Sequence, residues 1–279
     1  MFGIILISIG TFFEEISESI SKIKINNGEA SVLTMAFLSL FWGAIFYVLI
    51  GISKNDEFIF KIASLPTFTI RAFFEIIQAY VSVLAVVSAD RTTYSFVRTI
   101  TIPLLVIVDL ILGYKMNILP ITGIFIILIS ILVLFMNKKI GKKGIGLALF
   151  SAVNAVVTIS LFKYDITHYN SVAAEQLFIS LILLIFFAIF SIVRAKENPF
   201  IFLTKPVFFY QSFSVGIGGV IESFGYNYGA ASIMTAAKRS SALFWSVLSG
   251  KVYFKEDNIK LKIIVMNLLV LGLVLLALN

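Results

Sequence analysis

Two adjacent basic residues, Lys238 and Arg239, lie inside an otherwise apolar stretch of the sequence, residues 230–258. They follow the start of this stretch by about eight residues, which places them roughly 12 Å along a helix and near the middle of a bilayer. A charged side chain at that depth costs at least about 2.5 kcal/mol, so it has to face water, a counter-ion or a bound solute. The pair therefore predicts a buried site for an anionic group.

The stretch that contains this pair has a counterpart earlier in the chain, residues 89–117. A shift of 141 residues, the difference between positions 239 and 98, aligns the two stretches and places Arg239 on Arg98. Apolar residues such as leucine match by chance in so apolar a chain, so matched basic and amide residues are the stronger evidence for a repeat. The correspondence predicts two copies of one structural unit. The same shift aligns Gly144 with Gly3, Lys163 with Lys22, Ser223 with Ser82 and Asn258 with Asn117.

The composition indicates the class of protein. Of the 279 residues, 59% are hydrophobic and 13% are charged, and the mean hydropathy is +1.03. A soluble core does not need so much apolar sequence, so we predict an integral membrane protein. The net charge of +7 comes largely from lysines between the apolar runs, as expected for loops beside an anionic membrane surface.

The same composition excludes several kinds of site. The sequence contains no cysteine, which excludes disulfides and thiol chemistry, and its single histidine cannot form a zinc site alone. We therefore expect no metal and no cofactor. No combination of basic and aromatic residues indicates a nucleic-acid partner.

Ten apolar runs of roughly 18 to 24 residues follow one another, and each is long enough to cross the bilayer core as a helix. The polar links between them are too short to hold a soluble domain. Because each half has five runs, the second half has to lie upside down relative to the first. We predict an all-α integral membrane protein of ten transmembrane helices, arranged as two inverted five-helix repeats, residues 1–138 and 139–279. The runs are 2–20, 31–52, 67–88, 91–112, 118–136, 144–163, 172–193, 207–228, 230–252 and 261–278.

The first run carries acidic residues that could titrate. Glu14, Glu18 and Lys22 recur at helical spacing and share one face of a helix. Glu14 lies roughly 20 Å from Met1 along the axis, still within the hydrocarbon region. It is either a cavity-facing carboxylate that binds protons or cations, or part of a watery vestibule beside an interfacial pair of Glu18 and Lys22.

The third and fourth runs carry polar residues at helical spacing as well. Glu75 and Gln78 lie deep enough in the third run to line a cavity. In the fourth run, Tyr94 and Arg98 share one face. Pro103 follows them and lacks a backbone N–H, so we expect the helix to bend beside Arg98.

The second half supplies three further candidates. Asn154 lies in the sixth run, and Glu222 and Tyr226 lie in the eighth. Glu222 is a candidate counter-ion for the buried basic residues, because a carboxylate at that depth itself needs a partner.

Polar residues near the ends of two runs are interpreted as interfacial. Arg71 is expected to pair with Glu75 one turn further along the third run. Glu175 and Gln176 lie only four or five residues into the seventh run, so we expect water to solvate them.

The layout of ten runs in two halves resembles the drug/metabolite transporter superfamily, in particular its EamA-type members, over essentially the full chain. Glu14 and Lys22 resemble the E-x7-K spacing of the small multidrug resistance proteins, which are thought to be half-length relatives. In that family the glutamate binds protons and cationic drugs, and the resemblance implies the same role for Glu14. Arg98 stands where those proteins have a glycine.

A second resemblance concerns the ninth run. The segment AAKRSS at 236–241 resembles the N-V-L-K-R signature of sugar-phosphate and nucleotide-sugar translocators at Lys238 and Arg239, whereas Ala236 and Ala237 precede the pair and the asparagine is not matched. In those carriers the basic pair grips a phosphate, which implies the same role for Lys238 and Arg239.

These observations predict a secondary active transporter of a small polar organic metabolite with an anionic group. Arg98, Lys238 and Arg239 bind the anion, and Glu14 balances their charge or couples protons. The alternatives are a proton-coupled exporter of amino acids or cationic drugs that uses Glu14, and a carrier of a lipid-linked group. No catalytic or phosphate-loop motif is present, so we do not expect an enzyme. The expected partners are a solute, the lipid bilayer and protons, with no nucleic acid, for a monomer or homodimer that spans a bacterial or archaeal cell membrane several times.

Overall fold

The computed structural model describes residues 2–53, 58–111, 113, 118–136, 143–255 and 259–277. Within these ranges the chain forms α-helices, short 3₁₀ and π turns, and no β-strand. The α-helices are α1 (Phe2–Asn26), α2 (Val32–Ser53), α3 (Leu65–Ser88), α4 (Arg91–Arg98), α5 (Thr101–Ile111), α6 (Ile118–Met136), α7 (Ile145–His168), α8 (Val172–Phe190), α9 (Pro199–Phe202), α10 (Pro206–Gly225), α11 (Ala231–Val252) and α12 (Ile259–Ala277).

Among the residues that the structure describes, five helical segments have both the length and the apolar composition to cross a membrane. The shortest of them, Arg91–Ile111, has 21 residues, which corresponds to about 31 Å and matches the hydrocarbon core of a bilayer. The predicted all-α class is therefore confirmed, and the five apolar segments are consistent with a membrane-embedded protein. The other four are Val32–Ser53, Ile62–Ser88, Ile145–His168 and Val172–Ala195.

Two helices continue beyond the apolar runs that predicted them. The run at 2–20 extends as α1 to Asn26, and the run at 144–163 extends as α7 to His168. The added turn of α1 is polar, and the helix stops just before Gly28, whose φ of 71° lies in the left-handed region that glycine adopts easily. Hydropathy marks where a helix is apolar, whereas the capping residues determine where it ends.

The fourth run is interrupted beside Arg98, as its proline predicted. α4 ends at Arg98 and α5 begins at Thr101, with a turn between them. Pro103 has no N–H to donate to the carbonyl of Thr99, which instead accepts a hydrogen bond from Ile102 N at 3.0 Å. The interruption places Arg98 at the end of a helix in the middle of a buried segment.

Helices from the two halves of the sequence pack against each other. α1 packs along α10, α3 along α7, α2 along α8, and α6 along α12. The contact between α1 and α10 is close because a glycine lies on each side of it. A Cβ added to Gly218 would lie 2.6 Å from the Gly10 carbonyl oxygen, so only glycine fits there.

Candidate functional site

Lys238 of α11 lies between two carboxylates from different helices. Its Nζ is 2.9 Å from Glu14 Oε1 in α1 and 2.5 Å from Glu222 Oε2 in α10. Thr11 Oγ1 donates to Glu222 Oε1 at 2.8 Å and fixes that carboxylate. The close approach of α1 and α10 makes this arrangement possible, because a Cβ on Gly10 would lie 2.4 Å from Glu222 Cγ. The charge of Lys238 is therefore already balanced within the protein.

Two guanidinium groups beside Lys238 form no direct ion pair with a carboxylate among the residues that the structure describes. Arg239 is 3% exposed, and its guanidinium forms no ion pair or hydrogen bond with any residue that the structure describes. Arg98 Nη1 donates to Tyr94 Oη at 2.7 Å, and Arg98 Nε has no partner among the described residues. Buried guanidinium groups require compensation by an acceptor or an opposite charge. Arg98 and Arg239 are thus the basic groups that remain available to an anion.

A cavity of about 300 Å³ connects these residues. It is bounded by residues of α1, α2, α3, α4, α7, α8, α10 and α11, and Arg71 is the lining residue nearest the start of α3. Its walls combine apolar side chains with a few convergent polar and charged groups, as in sites for small organic ligands. The polar and charged lining includes Glu14, Glu75, Gln78, Arg98, Glu222, Tyr226, Lys238 and Arg239.

A second cavity, also about 300 Å³, continues from the same charged residues in the opposite direction along α3. It shares Glu14, Arg98 and Lys238 with the first cavity and extends to Ser21 and Val86. The two cavities therefore meet at the charged residues and extend from them toward opposite ends of α3.

Eight of the ten residues predicted from the sequence line the first cavity, and the other two lie close behind it. Tyr94 is 2% exposed and lines a small space of about 20 Å³ together with Arg98 and Arg239. Asn154 does not appear in the lining of the cavity. Its Nδ2 donates to Gln78 Oε1 at 2.8 Å and to Phe74 O at 3.0 Å, because α7 packs against α3. Asn154 thus holds the side chain of Gln78 in place.

The sequence interpretation missed an ion pair that links the two halves of the chain. Arg71 was predicted to pair with Glu75, yet its Nη1 lies 2.7 Å from Glu175 Oε1 and its Nη2 lies 3.5 Å from Glu75 Oε1. The prediction that water solvates Glu175 is wrong, because this side chain is fully buried. The partner is 104 positions away, and helical spacing relates residues of one helix only.

A second missed cluster lies within the first half. Arg91, which is fully buried, donates to Glu15 Oε2 at 2.6 Å and to Glu18 Oε2 at 2.5 Å. Ser249 of α11 also donates to Glu15 Oε1, at 2.6 Å. Lys22, the alternative partner of Glu18, instead donates to the carbonyl of Ala89. Arg91 is the first residue of α4, and helical spacing within one run does not relate it to Glu15 or Glu18 of α1.

Comparison with known proteins adds no identification. No protein-family model matches the chain, and a search of curated proteins finds no significant match.

Proposed function

We propose that this protein is a secondary active transporter of a small polar organic metabolite with an anionic group. The observation that carries the proposal is a pair of guanidinium groups, the half-buried Arg98 and the buried Arg239, which face one cavity and form no direct ion pair with a carboxylate among the described residues. An anionic solute would supply the missing charge. Lys238 is engaged by Glu14 and Glu222, so it contributes to the shape and field of the site more than to direct binding.

The proposed architecture is ten spans in two inverted five-helix repeats. Its support is the correspondence of helix bounds under the shift of 141 residues: α1 aligns with α7, α2 with α8, α3 with α10, and α6 with α12. The packing of α1 on α10 then corresponds to that of α7 on α3. The interrupted pair α4 and α5 aligns with the continuous α11, so the two units differ at the site. This layout supports membership of the drug/metabolite transporter superfamily.

The mechanism that we propose is alternating access. The solute binds where the two cavities meet, with its anionic group on Arg98 and Arg239 and its polar groups within reach of Gln78 and Tyr226. The two halves rock about this point, so that the solute faces one polar space and then the other.

The proposal is tested by binding and by transport. A thermal-shift screen of anionic metabolites on the purified protein identifies a ligand, since binding stabilises the folded form. Arg239→Ala and Arg98→Ala should each abolish the shift and the uptake into vesicles. Lys251→Ala is the matched control, because Lys251 is exposed on the same helix as Arg239 and should change neither. Uptake at the wild-type level in Arg239→Ala would show that the site is misassigned.

A proton-coupled exporter of amino acids or cationic drugs is the second candidate. Glu14 and Glu222 share one lysine, so a proton or an organic cation could replace Lys238 between them. Flux that depends on the proton gradient and on Glu14, but is unchanged in Arg239→Ala, would favour this candidate.

A further inference from the structure

Arg71 lies between two carboxylates, one from each half of the sequence. Glu175 of α8 accepts from Arg71 Nη1 at 2.7 Å, and Gln176 accepts from Nη2 at 2.9 Å. Glu75, one turn further along the arginine's own helix, stands 3.5 Å from Nη2 and is 21% exposed to the cavity. The arginine thus has a strong partner across the boundary between the halves and a second, weaker partner that moves with it.

Arg71 and Gln176 line the first cavity at the end nearest the start of α3, and Glu175 pairs with Arg71 there. Glu175 Oε2 accepts from Asn170 Nδ2 at 2.5 Å, and Asn170 also binds the segment that precedes α3, through Lys61 N at 2.9 Å and Ser64 Oγ at 2.9 Å. This segment leads directly into α3, so Asn170 connects Glu175 to the start of the helix that carries Arg71. The first half of the chain cannot separate from α8 there without breaking the Arg71–Glu175 contact.

We propose that Arg71 is a latch, paired with both Glu175 and Glu75 when this end of the cavity is closed and with Glu75 alone when it is open. Removing one partner of a buried ion pair is strongly unfavourable because the other charge is left uncompensated. Glu75 avoids that penalty, since it accompanies Arg71 when α3 moves away from α8. The two carboxylates therefore bias the same opening equilibrium in opposite directions. This inference rests on the proposed transport function and describes how access to that same site is controlled.

The test compares Glu175→Gln with Glu75→Gln, two variants that each neutralise one of the carboxylates beside Arg71. The chain contains no cysteine, so Ser180→Cys introduces a single reporter in the wall of the cavity, where Ser180 is 8% exposed. The rate at which a bulky, water-soluble maleimide labels this cysteine measures how often the end opens. Glu175→Gln should accelerate labelling at least about tenfold, which corresponds to about 1.4 kcal/mol. Glu75→Gln should slow labelling by a similar factor.

Two controls distinguish the latch from a general loosening of the protein. Ser130→Cys in α6 is fully buried away from the cavity and should stay unlabelled in every folded variant. In an Arg71→Gln background, Glu75→Gln should no longer change the labelling of the Ser180→Cys reporter, because the arginine that connects the two carboxylates is gone.

The outcomes separate the latch from the proposed function, because labelling requires no transported solute. Acceleration by Glu75→Gln, or an unchanged rate in Glu175→Gln, would overturn the latch. The persistence of the Glu75→Gln effect in the Arg71→Gln background would overturn it as well. If Arg239→Ala loses binding of the solute and the labelling results contradict the latch, the proposed transport function is supported and the latch is rejected. If labelling follows the predicted pattern but the thermal-shift screen finds no anionic ligand, the latch is supported and the proposed class of solute is rejected.

Discussion

Lys238 Nζ lies 2.9 Å from Glu14 Oε1, although 224 positions of sequence separate the two residues. The contact joins α11 to α1, and Glu222 of α10 completes it at 2.5 Å. Three helices therefore meet at one ammonium group between the two cavities. A buried charge cluster of this kind is sensitive to the removal of any one member, because the remaining charges lose their compensation.

The first prediction concerns the stability of this cluster. Lys238→Met should destabilise the protein by up to about 3–5 kcal/mol, because the buried carboxylate of Glu222 and the half-buried carboxylate of Glu14 lose their common counter-ion. Adding Glu222→Gln should recover part of that loss, because one of the two uncompensated charges is removed. Denaturant or thermal unfolding in detergent measures both effects. The control Lys251→Met removes a lysine that is exposed on the same helix and should stay within about 0.5 kcal/mol of the wild type.

The second prediction concerns the close contact between α1 and α10. Gly218→Ala should destabilise the protein by about 1–3 kcal/mol, because the new Cβ would lie 2.6 Å from the Gly10 carbonyl oxygen. The adjacent Gly219 has open space around its would-be Cβ, so Gly219→Ala should be neutral or stabilising by up to about 1 kcal/mol. Thermal unfolding of the two variants provides the comparison. Equal losses in both would contradict the close contact.

The sequence predicted the helices well because long apolar runs and helical periodicity are local properties. It also identified the charged residues of the central cluster, since charges such as Glu14 and Arg239 are conspicuous inside apolar runs. It also predicted that Glu222 is a counter-ion for these basic residues, and Glu222 Oε2 lies 2.5 Å from Lys238 Nζ. It did not predict the ion pairs that join other distant helices. Arg71 was assigned to Glu75 by spacing, whereas the fold brings Glu175 closer from another helix. Burial of a polar residue near a helix end depends on tertiary packing, which a single sequence does not show.

The third prediction assigns Asn154 a supporting role. Asn154→Ala removes the donor that satisfies Gln78 Oε1 and Phe74 O, so it should destabilise the protein by about 1–3 kcal/mol. The affinity for an anionic ligand should change far less than in Arg239→Ala. Unfolding and ligand titration of the same preparation measure the two effects. A loss of affinity as large as that of Arg239→Ala would instead place Asn154 in the binding site.

The fourth prediction concerns the orientation of Arg98, which depends on Tyr94. The Tyr94 hydroxyl accepts from Arg98 Nη1 at 2.7 Å, and the guanidinium carbon lies 5.3 Å from the centre of the Tyr94 ring. Tyr94→Phe keeps the ring contact and removes the acceptor. Because a hydrogen bond to a charged group contributes about 1.5–3 kcal/mol, the freed guanidinium should become less ordered. If that order is required for binding, the affinity for an anionic ligand should fall about tenfold or more.

Isothermal titration with the ligand identified by the thermal-shift screen measures this loss for Tyr94→Phe. Tyr80→Phe is the control, because Tyr80 is 39% exposed and makes no hydrogen bond through its side chain within the described part of the chain. The affinity of the Tyr80 variant should match that of the wild type. An unchanged affinity in Tyr94→Phe would mean that Arg98 binds the anion without its tyrosine, and that the order of its guanidinium comes from the ligand alone.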